Sequence, residues 1–149
     1  MQVIEPDIFH SREALDFGKG FYMSSIKEQA EKYGAKFTGK GQTAWLNIYE
    51  LSDDLSDWKI KIFDSYNEKW LDYVTACRKE MQPDDGYDMI VGGIADDKVF
   101  TTVNLYFMDF MRKDEALRRL AFEKPNNQYC IRSMKMLSQC VTYKESIKL

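Results

Sequence analysis

The stretch DFGKGFY at residues 16–22 places two glycines one position apart, directly before an aromatic pair. Glycine lets the backbone turn tightly, so this stretch predicts a turn that enters a short strand over residues 17–23. It is not a phosphate loop, because the Gly-Lys-Ser/Thr ending of such loops is absent. Taken alone, it is typical of an ordinary turn followed by core aromatic residues.

Along the rest of the chain, segments with helical spacing of apolar residues and segments with strand-like alternation follow each other in an irregular order. Helical spacing predicts helices over 25–37, from 67 through 77, from 97 through 107, over 114–122 and over 133–139. Two-residue alternation predicts strands over 43–51, 58–63, 87–91, 128–132 and 141–148. Ser25 and Glu28 suit a capping box for the first helix, in which Ile26, Ala30 and Tyr33 share a face. Asn67 suits the cap of the second helix, where the residues that line one side are Trp70, Leu71, Val74 and Cys77. In the strand over 58–63, Trp58, Ile60 and Ile62 point one way, and residues 83–86 predict a turn. The irregular order favours an α+β fold with largely antiparallel sheets over a doubly wound parallel sheet.

Composition predicts one ordered domain over residues 1–149. No linker, repeat or low-complexity segment interrupts the chain, and 14% of its residues are aromatic. The net charge of −3, from 24 acidic and 21 basic residues, gives no reason to expect a broad surface for duplex nucleic acid, although it leaves a local basic groove open. No apolar run approaches the ~18 residues of a membrane span. The first thirteen residues lack a signal-peptide pattern, so the sequence predicts a cytoplasmic protein without membrane contact.

The three cysteines, Cys77, Cys130 and Cys140, have no close paired spacing. That spacing argues against a disulfide framework and a zinc site, and reduced thiols are expected. His10 is the single histidine, so no metal site and no Ser-His-Asp arrangement is predicted.

Three further segments carry polar side chains at positions where functional sites are common. Residues 126–131 form a polar turn that enters a strand, where an amide usually caps the backbone. Residues 87–97 run from a buried strand into a glycine-rich loop with Asp96 and Asp97, which either belong to a site or stabilise a helix N-terminus. His10 is typical of a surface hydrogen-bonding residue, whereas the guanidinium of Arg12 suits a phosphate group.

Together and in order, these segments resemble known proteins. Residues 17–22 resemble the phenylalanine-glycine-lysine-glycine-isoleucine-tyrosine segment of the poly(ADP-ribose) polymerase catalytic domain, and residues 127–131 resemble its asparagine-glutamate-tyrosine-isoleucine-valine segment. The whole chain is more closely similar to a bacterial family of unknown function that is regarded as ADP-ribosyltransferase-like. The shared stretches are 5–22, 27–30, 64–72, 87–100, 104–107 and 126–132.

The resemblance implies a split pair of mainly antiparallel sheets with flanking helices, and NAD bound in the cleft between the sheets. Tyr22 matches the tyrosine that stacks on nicotinamide, and Gln128 matches the glutamate that hydrogen-bonds the nicotinamide ribose, so these two are the expected catalytic residues. The residues expected to bind NAD are His10, Arg12, Gly18, Gly20, Phe21, Tyr22, Asp96 and Asp97.

Two departures from the resemblance bear on activity. Gln128 can hydrogen-bond a ribose hydroxyl, but it can neither carry a negative charge nor act as a base. The family's opening Tyr-His-Gly-Ser strand has no counterpart here, and His10 matches a different element. We therefore expect a missing first strand, an open sheet edge and weak NAD binding.

The resemblance implies an NAD-dependent mono-ADP-ribosyltransferase or a degenerate relative. Small bacterial transferases of this type often serve as toxins in toxin–antitoxin or phage-defence pairs. The alternative is a non-catalytic module of the same fold that binds a nucleotide or a partner. The acceptor stays open between protein, nucleic acid and small molecule, and an antitoxin or a second copy of the chain is the expected protein partner.

Overall fold

A computed structural model describes residues 1–11, 15–81, 83 and 85–149, apart from the side chain of Asp97. Over these residues the strands and helices follow the order β1 (Phe21–Ser24), α1 (Lys27–Thr38), β2 (Trp45–Leu51), β3 (Ile60–Ile62), α2 (Glu68–Arg78), β4 (Met89–Gly92), α3 (Asp97–Phe107), α4 (Lys113–Leu120), β5 (Gln128–Ile131), α5 (Met134–Cys140) and β6 (Val141–Lys148).

The strands form two sheets. The larger has the order β1-β5-β4-β3, and the smaller pairs β2 with β6. Every pairing is antiparallel except that of β3 with β4. The predicted α+β class with largely antiparallel sheets is therefore confirmed.

The larger sheet separates two apolar clusters, because side chains alternate between its faces. Tyr22 and Cys130 face the cluster that contains the buried residues of α2, α3 and α4. Phe21 and Ile131 face the cluster built around α5. Phe21 also meets Tyr49 of the smaller sheet edge-on, with ring centroids 5.4 Å apart. Helices α2, α3 and α4 therefore cover one face of β1 and β5, while the other face packs toward α5 and the smaller sheet.

Helix α2 forms as the sequence predicts. The side chain of Asn67 accepts a hydrogen bond from the Trp70 backbone N–H, which satisfies a donor that the first helical turn leaves open. The predicted apolar side, formed by Trp70, Leu71, Val74 and Cys77, is buried. Trp70 also donates its indole N–H to the Gly93 carbonyl at 2.7 Å, which ties α2 to the segment after β4.

Helix α1 differs from the prediction in its start and in its buried side. It begins at Lys27, with Ile26 at the cap position and no side-chain cap, so the capping box expected of Ser25 and Glu28 does not form. Gly34 is the residue on its inner side, where an added Cβ would lie 2.4 Å from Leu149 Cδ1. Because Gly34 faces inward, the neighbouring Tyr33 faces solvent and is 63% exposed.

The strand predicted over residues 58–63 is shorter than expected. β3 contains three residues and pairs only with β4, so it is an edge strand, and Ile62 is exposed instead of sharing a buried side with Trp58 and Ile60. The predicted turn near residue 84 is described only in part, and Gly86 there has a φ of 69°. The last helix and strand match the prediction, with Ser133 capping α5 through the Met136 N–H.

The N-terminal residues lie against the smaller sheet. Asn47 accepts a hydrogen bond from the Val3 N–H at 3.1 Å, and the Tyr49 hydroxyl donates to the Val3 carbonyl. Val3 is therefore held by side chains of β2 and not by a backbone ladder. Burial raises the pKa of Tyr49 to about 12, with a further contribution from Tyr143, so this donor stays protonated at neutral pH.

We expect Gly20→Ala to destabilise the fold by about 1–3 kcal/mol. A Cβ at Gly20 would lie 2.6 Å from Cys130 Sγ and 2.7 Å from the Ile131 carbonyl oxygen, so β1 would have to move away from β5. Urea denaturation monitored by Trp fluorescence measures the effect. Gly39→Ala is the control, since Gly39 has a φ of −62° that alanine adopts readily. An equal loss in both variants would contradict the packing explanation.

Candidate functional site

Tyr22 lies on β1 opposite Cys130 of β5. Its hydroxyl donates to the Gly18 carbonyl at 2.6 Å and accepts from the Phe17 N–H at 3.1 Å. Burial raises the pKa of this hydroxyl, and the Cys130 thiol beside it adds to the shift, so Tyr22 stays neutral at neutral pH. The hydroxyl is used to close the 16–20 turn, and the half-buried ring packs against the cluster beside α2, α3 and α4.

The two glycines of this turn have structural roles. Gly18 has a φ of 76°, which an L side chain rarely adopts. Gly20 packs directly on β5, and its N–H donates to Ser11 Oγ at 2.9 Å. These contacts account for both glycines without a ligand, and their predicted role in NAD binding stays a prediction.

Gln128 begins β5 between Ser24 of β1 and Gly92 of β4. Its Nε2 donates to Gln29 Oε1 of α1 at 3.1 Å, and the same oxygen accepts from Ser24 Oγ at 2.9 Å. Within the residues that the structure describes, Gln128 Oε1 accepts no hydrogen bond. The Gln128 amide is therefore held through Nε2, while its Oε1 can accept a hydrogen bond from a ligand.

Strand pairing places Tyr22 and Gln128 on the same face of the sheet. This face is directed toward the cluster of α2, α3 and α4 and not toward the smaller sheet, so the two residues do not face a cleft between the sheets as expected. Tyr22 is opposite Cys130 and Ser24 is opposite Gln128, so Tyr22 and Gln128 are diagonal neighbours on that face. Such neighbours have Cα atoms about 7–8 Å apart. The sheet thus brings together two side chains that are more than a hundred residues apart in the sequence.

The β4–α3 loop forms the next part of the site. Asn126 Oδ1 accepts from the Ile94 N–H at 2.7 Å, and Asn126 Nδ2 donates to Asp96 Oδ2 at 2.9 Å. Asp96 occupies the cap position of α3, so the expected helix N-terminus is present, but the Asp96 side chain makes no cap hydrogen bond there. Tyr66, whose pKa burial raises to about 12, donates its hydroxyl to the Ile94 carbonyl at 3.2 Å.

We call the polar surface formed by Ser24, Ser25, Gln29, Asp96, Asn126, Asn127 and Gln128 the amide rim. Asn127 Nδ2 donates to Ser25 Oγ at 3.0 Å, which links the start of β5 to the segment before α1. Three of the four amides come from a single turn, and the fourth, Gln29, comes from the first turn of α1. Apart from Asp96 the rim side chains are uncharged, so it suits ligands that offer neutral hydrogen-bonding groups.

A buried ion pair supports both sides of this site. Arg78 Nε donates to Asp16 Oδ1 at 2.8 Å, and the Ala95 N–H donates to Asp16 Oδ2 at 2.6 Å. The two side chains are only 12% and 11% exposed. Arg78 Nη1 also donates to Asn104 of α3 at 3.2 Å. Asp16 thus joins the turn at Gly18 to the β4–α3 loop, a role that the sequence analysis missed because Asp16 and Arg78 are 62 positions apart.

Several residues predicted for the site are not brought to it. His10 is 88% exposed and bonds through Nδ1 to Asp7 Oδ2 at 2.7 Å. Phe21 points to the opposite face of the sheet from Tyr22. Arg12 lies outside the described residues, and Asp97 is described only as the first residue of α3.

Thiol chemistry is disfavoured at this site. Burial raises the pKa values of Cys77 and Cys130 to about 12, so neither is a thiolate near neutral pH. In the described part of the chain, no three His, Cys, Asp or Glu side chains are grouped to hold a metal ion. No helix in that part is long and apolar enough to cross a membrane.

Two open depressions, of about 430 and 440 Å³, lie elsewhere on the molecule. One is lined by the α3–α4 loop around Phe110, and the other by residues near Asn67 and Leu117. Neither is lined by Tyr22 or Gln128. The amide rim is thus distinct from both depressions.

Residues 1–143 match a family described as "Protein of unknown function (DUF3990)". The chain belongs to this family. No curated protein and no solved structure matches it. The expected membership in a family of unknown function is confirmed, and the family's description attaches no activity to the site.

Proposed function

We propose that this member of the family binds NAD on the sheet face shared by Tyr22 and Gln128 and transfers ADP-ribose from it. The observation that carries the proposal is the β1–β5 pairing, which makes these two residues diagonal neighbours. The resemblance to ADP-ribosyltransferases requires a stacking tyrosine and a ribose-binding side chain at one site. These two residues satisfy that requirement.

The available groups suit the nicotinamide end of NAD. The part of the Tyr22 ring that is not packed against the core offers an aromatic surface for stacking, while its hydroxyl remains bound to the turn. Gln128 Oε1 is oriented by the bond from Gln128 Nε2 to Gln29 and can accept from a ribose hydroxyl. Asp96 supplies the negative charge of the rim.

The proposed reaction is substitution at the ribose carbon that carries nicotinamide. The carbon–nitrogen bond breaks and nicotinamide leaves with the bonding electrons, while an oxygen or nitrogen of the acceptor bonds to the carbon and releases its proton to water. Positive charge develops on the ribose during this step. The neutral amide of Gln128 positions the ribose but stabilises that charge less than a carboxylate would.

A non-catalytic binding module is the second candidate. Gln128 and Gln29 bond to each other, and Asn126 bonds to Asp96, so the rim is held together by its own hydrogen bonds. An amide at position 128 supplies no general base. Such a site can hold a nucleotide without cleaving it. The proposed role as a toxin rests on the resemblance alone.

We expect Tyr22→Ala to weaken NAD binding far more than Tyr22→Phe, because stacking needs the ring and not the hydroxyl. Tyr22→Phe should instead lower the free energy of unfolding by about 1–3 kcal/mol, since it leaves the Phe17 N–H and the Gly18 carbonyl without their partner. Calorimetric titration with NAD and urea denaturation separate the two effects.

The unsubstituted chain provides the reference for this comparison. If it binds no NAD, the proposed function is wrong. If it binds NAD but releases no nicotinamide, the binding module is the better description. An equal loss of affinity in the two Tyr22 variants would mean that the ligand bonds to the hydroxyl and not to the ring.

A further inference from the structure

Helix α1 carries an exposed aromatic row that starts at the amide rim. Gln29, Tyr33 and Phe37 are spaced four residues apart and so lie along one side of the helix. Gln29 bonds to Gln128, whereas Tyr33 and Phe37 are 63% and 40% exposed. Their ring centroids are 5.4 Å apart at an interplanar angle of 68°. The row spans about 12 Å from Gln29 to Phe37, at about 1.5 Å per residue.

A lysine row runs beside the aromatic row. Lys32 and Lys36 are four residues apart on α1, Lys40 lies in the turn that follows the helix, and all three are exposed. Residues 32–49 contain these three lysines and no aspartate or glutamate, in a chain whose net charge is −3. Lys36 Nζ lies 5.8 Å from the centre of the Tyr33 ring. We call Lys32, Tyr33, Lys36, Phe37 and Lys40 the α1 strip.

Burial in the fold does not explain the exposed rings. The inner side of α1 is occupied by Gly34, which packs against Leu149 and Ala44. Lysine in the last turn of a helix favours the C-terminal end of its dipole, which accounts for Lys36. The helix dipole does not account for the two exposed rings of Tyr33 and Phe37, which lie between lysines in the sequence.

We propose that the α1 strip binds single-stranded nucleic acid and directs it to the amide rim. Aromatic rings that stack bases, beside lysines that neutralise phosphates, are the features with which proteins hold single strands. The net positive charge of residues 32–49 complements a polyanion. A base stacked on Tyr33 would place its phosphate beside Lys36. The neutral amides of the rim then offer donors and acceptors to the edge of the next base.

The chemistry of the strip favours this ligand over two others. Bases in a duplex are stacked on each other, so their faces cannot reach Tyr33 or Phe37. A membrane-surface helix buries a continuous apolar face, whereas α1 also carries Glu28 and Glu31 and offers only two rings for insertion. A single strand uses both the rings and the charges.

On the proposed function, the bound strand is also the acceptor. A base oxygen or nitrogen at the rim would bond to the ribose carbon as nicotinamide leaves, and its proton would pass to water. This second step depends on NAD binding, whereas binding of the strand by the α1 strip does not.

The test measures binding of a fluorescein-labelled, mixed-sequence 12-nucleotide single strand by anisotropy, without NAD and over a range of salt concentrations. We expect Tyr33→Ala/Phe37→Ala to weaken binding about a hundredfold, roughly tenfold per ring. Lys36→Ala/Lys40→Ala should reduce the slope of log affinity against log salt by about 1.4, at about 0.7 per lost phosphate contact.

Matched controls use exposed residues away from α1. Phe110→Ala/Phe122→Ala removes two rings that are 74% and 90% exposed, and Lys124→Ala/Lys135→Ala removes two exposed lysines. Both control pairs should leave the affinity and the salt slope unchanged. If Tyr33→Ala/Phe37→Ala fails to fold, as judged by circular dichroism, Tyr33→Ala alone tests the stacking, since that side chain is mostly exposed.

Three outcomes would refute nucleic-acid binding by the α1 strip. They are no binding of the single strand by the unsubstituted chain at low salt, equal losses of affinity in strip and control variants, and equal affinity for a duplex of the same sequence. Preferential binding to vesicles of phosphatidylserine and phosphatidylcholine would assign the strip to a membrane surface instead. NAD titration of Tyr33→Ala/Phe37→Ala separates the proposals. If the unsubstituted chain binds the strand but not NAD, the strip proposal stands and the transferase proposal is refuted. If it binds NAD but not the strand, the transferase proposal stands and the strip proposal is refuted.

Discussion

Gln128→Glu should raise the release of nicotinamide from NAD about a hundredfold. The substitution is nearly isosteric and places a carboxylate beside the positive charge that develops on the ribose. One well-placed electrostatic partner contributes about 3 kcal/mol to such a transition state, which corresponds to roughly that factor in rate. Gln29 can accommodate the change by turning its amide so that its Nε2 donates to the new carboxylate in place of accepting from Gln128. Chromatographic quantification of free nicotinamide over time measures the rate.

Gln139→Glu is the matched control for this substitution. It makes the same chemical change on an exposed side chain of α5, a helix that packs on the opposite face of the sheet from Tyr22. We expect it to leave the rate unchanged. If nicotinamide release by Gln128→Glu stays at the level of the unsubstituted chain while NAD still binds, Gln128 does not occupy the role of the glutamate.

Breaking the Asp16–Arg78 pair should produce the largest loss of stability. Asp16→Asn and Arg78→Ala should each lower the free energy of unfolding by about 3–5 kcal/mol, because each leaves a polar or charged group buried without its partner. The Asp16→Leu/Arg78→Leu double variant should be less destabilised than the sum of the two leucine single variants, since it leaves neither charge unpaired. Urea denaturation of all variants measures these values.

The exposed pair between Arg112 and Asp114 is the control. These side chains are 89% and 69% exposed at a separation of 3.7 Å, so solvent screens their attraction. Arg112→Ala should change the free energy of unfolding by less than about 1 kcal/mol. A comparable loss in Arg112→Ala and Arg78→Ala would mean that the Asp16–Arg78 pair has no special structural role.

Local patterns in the sequence determined elements that are specified by neighbouring residues. Asn67 and the apolar spacing after it predicted α2, and the alternation from Val141 onward predicted β6. Caps and periodicity depend on contacts within one or two turns, so they can be recognised without the fold. The same local signals misplaced the start of α1, because Ser25 bonds to Asn127 from the other end of the chain.

Position within the fold decided the rest. The sequence marked Tyr22 and Gln128 through a resemblance, but only the β1–β5 register places them on one face. Gln29 and the Asp16–Arg78 pair had no local signal, since their partners are 99 and 62 positions away. Tyr33 is exposed because Gly34 packs on Leu149, whereas periodicity alone placed Tyr33 on the same face as Ile26 and Ala30. Contacts between distant segments form only when the whole chain is folded, so only the tertiary structure determines which side chains form the site and which face solvent.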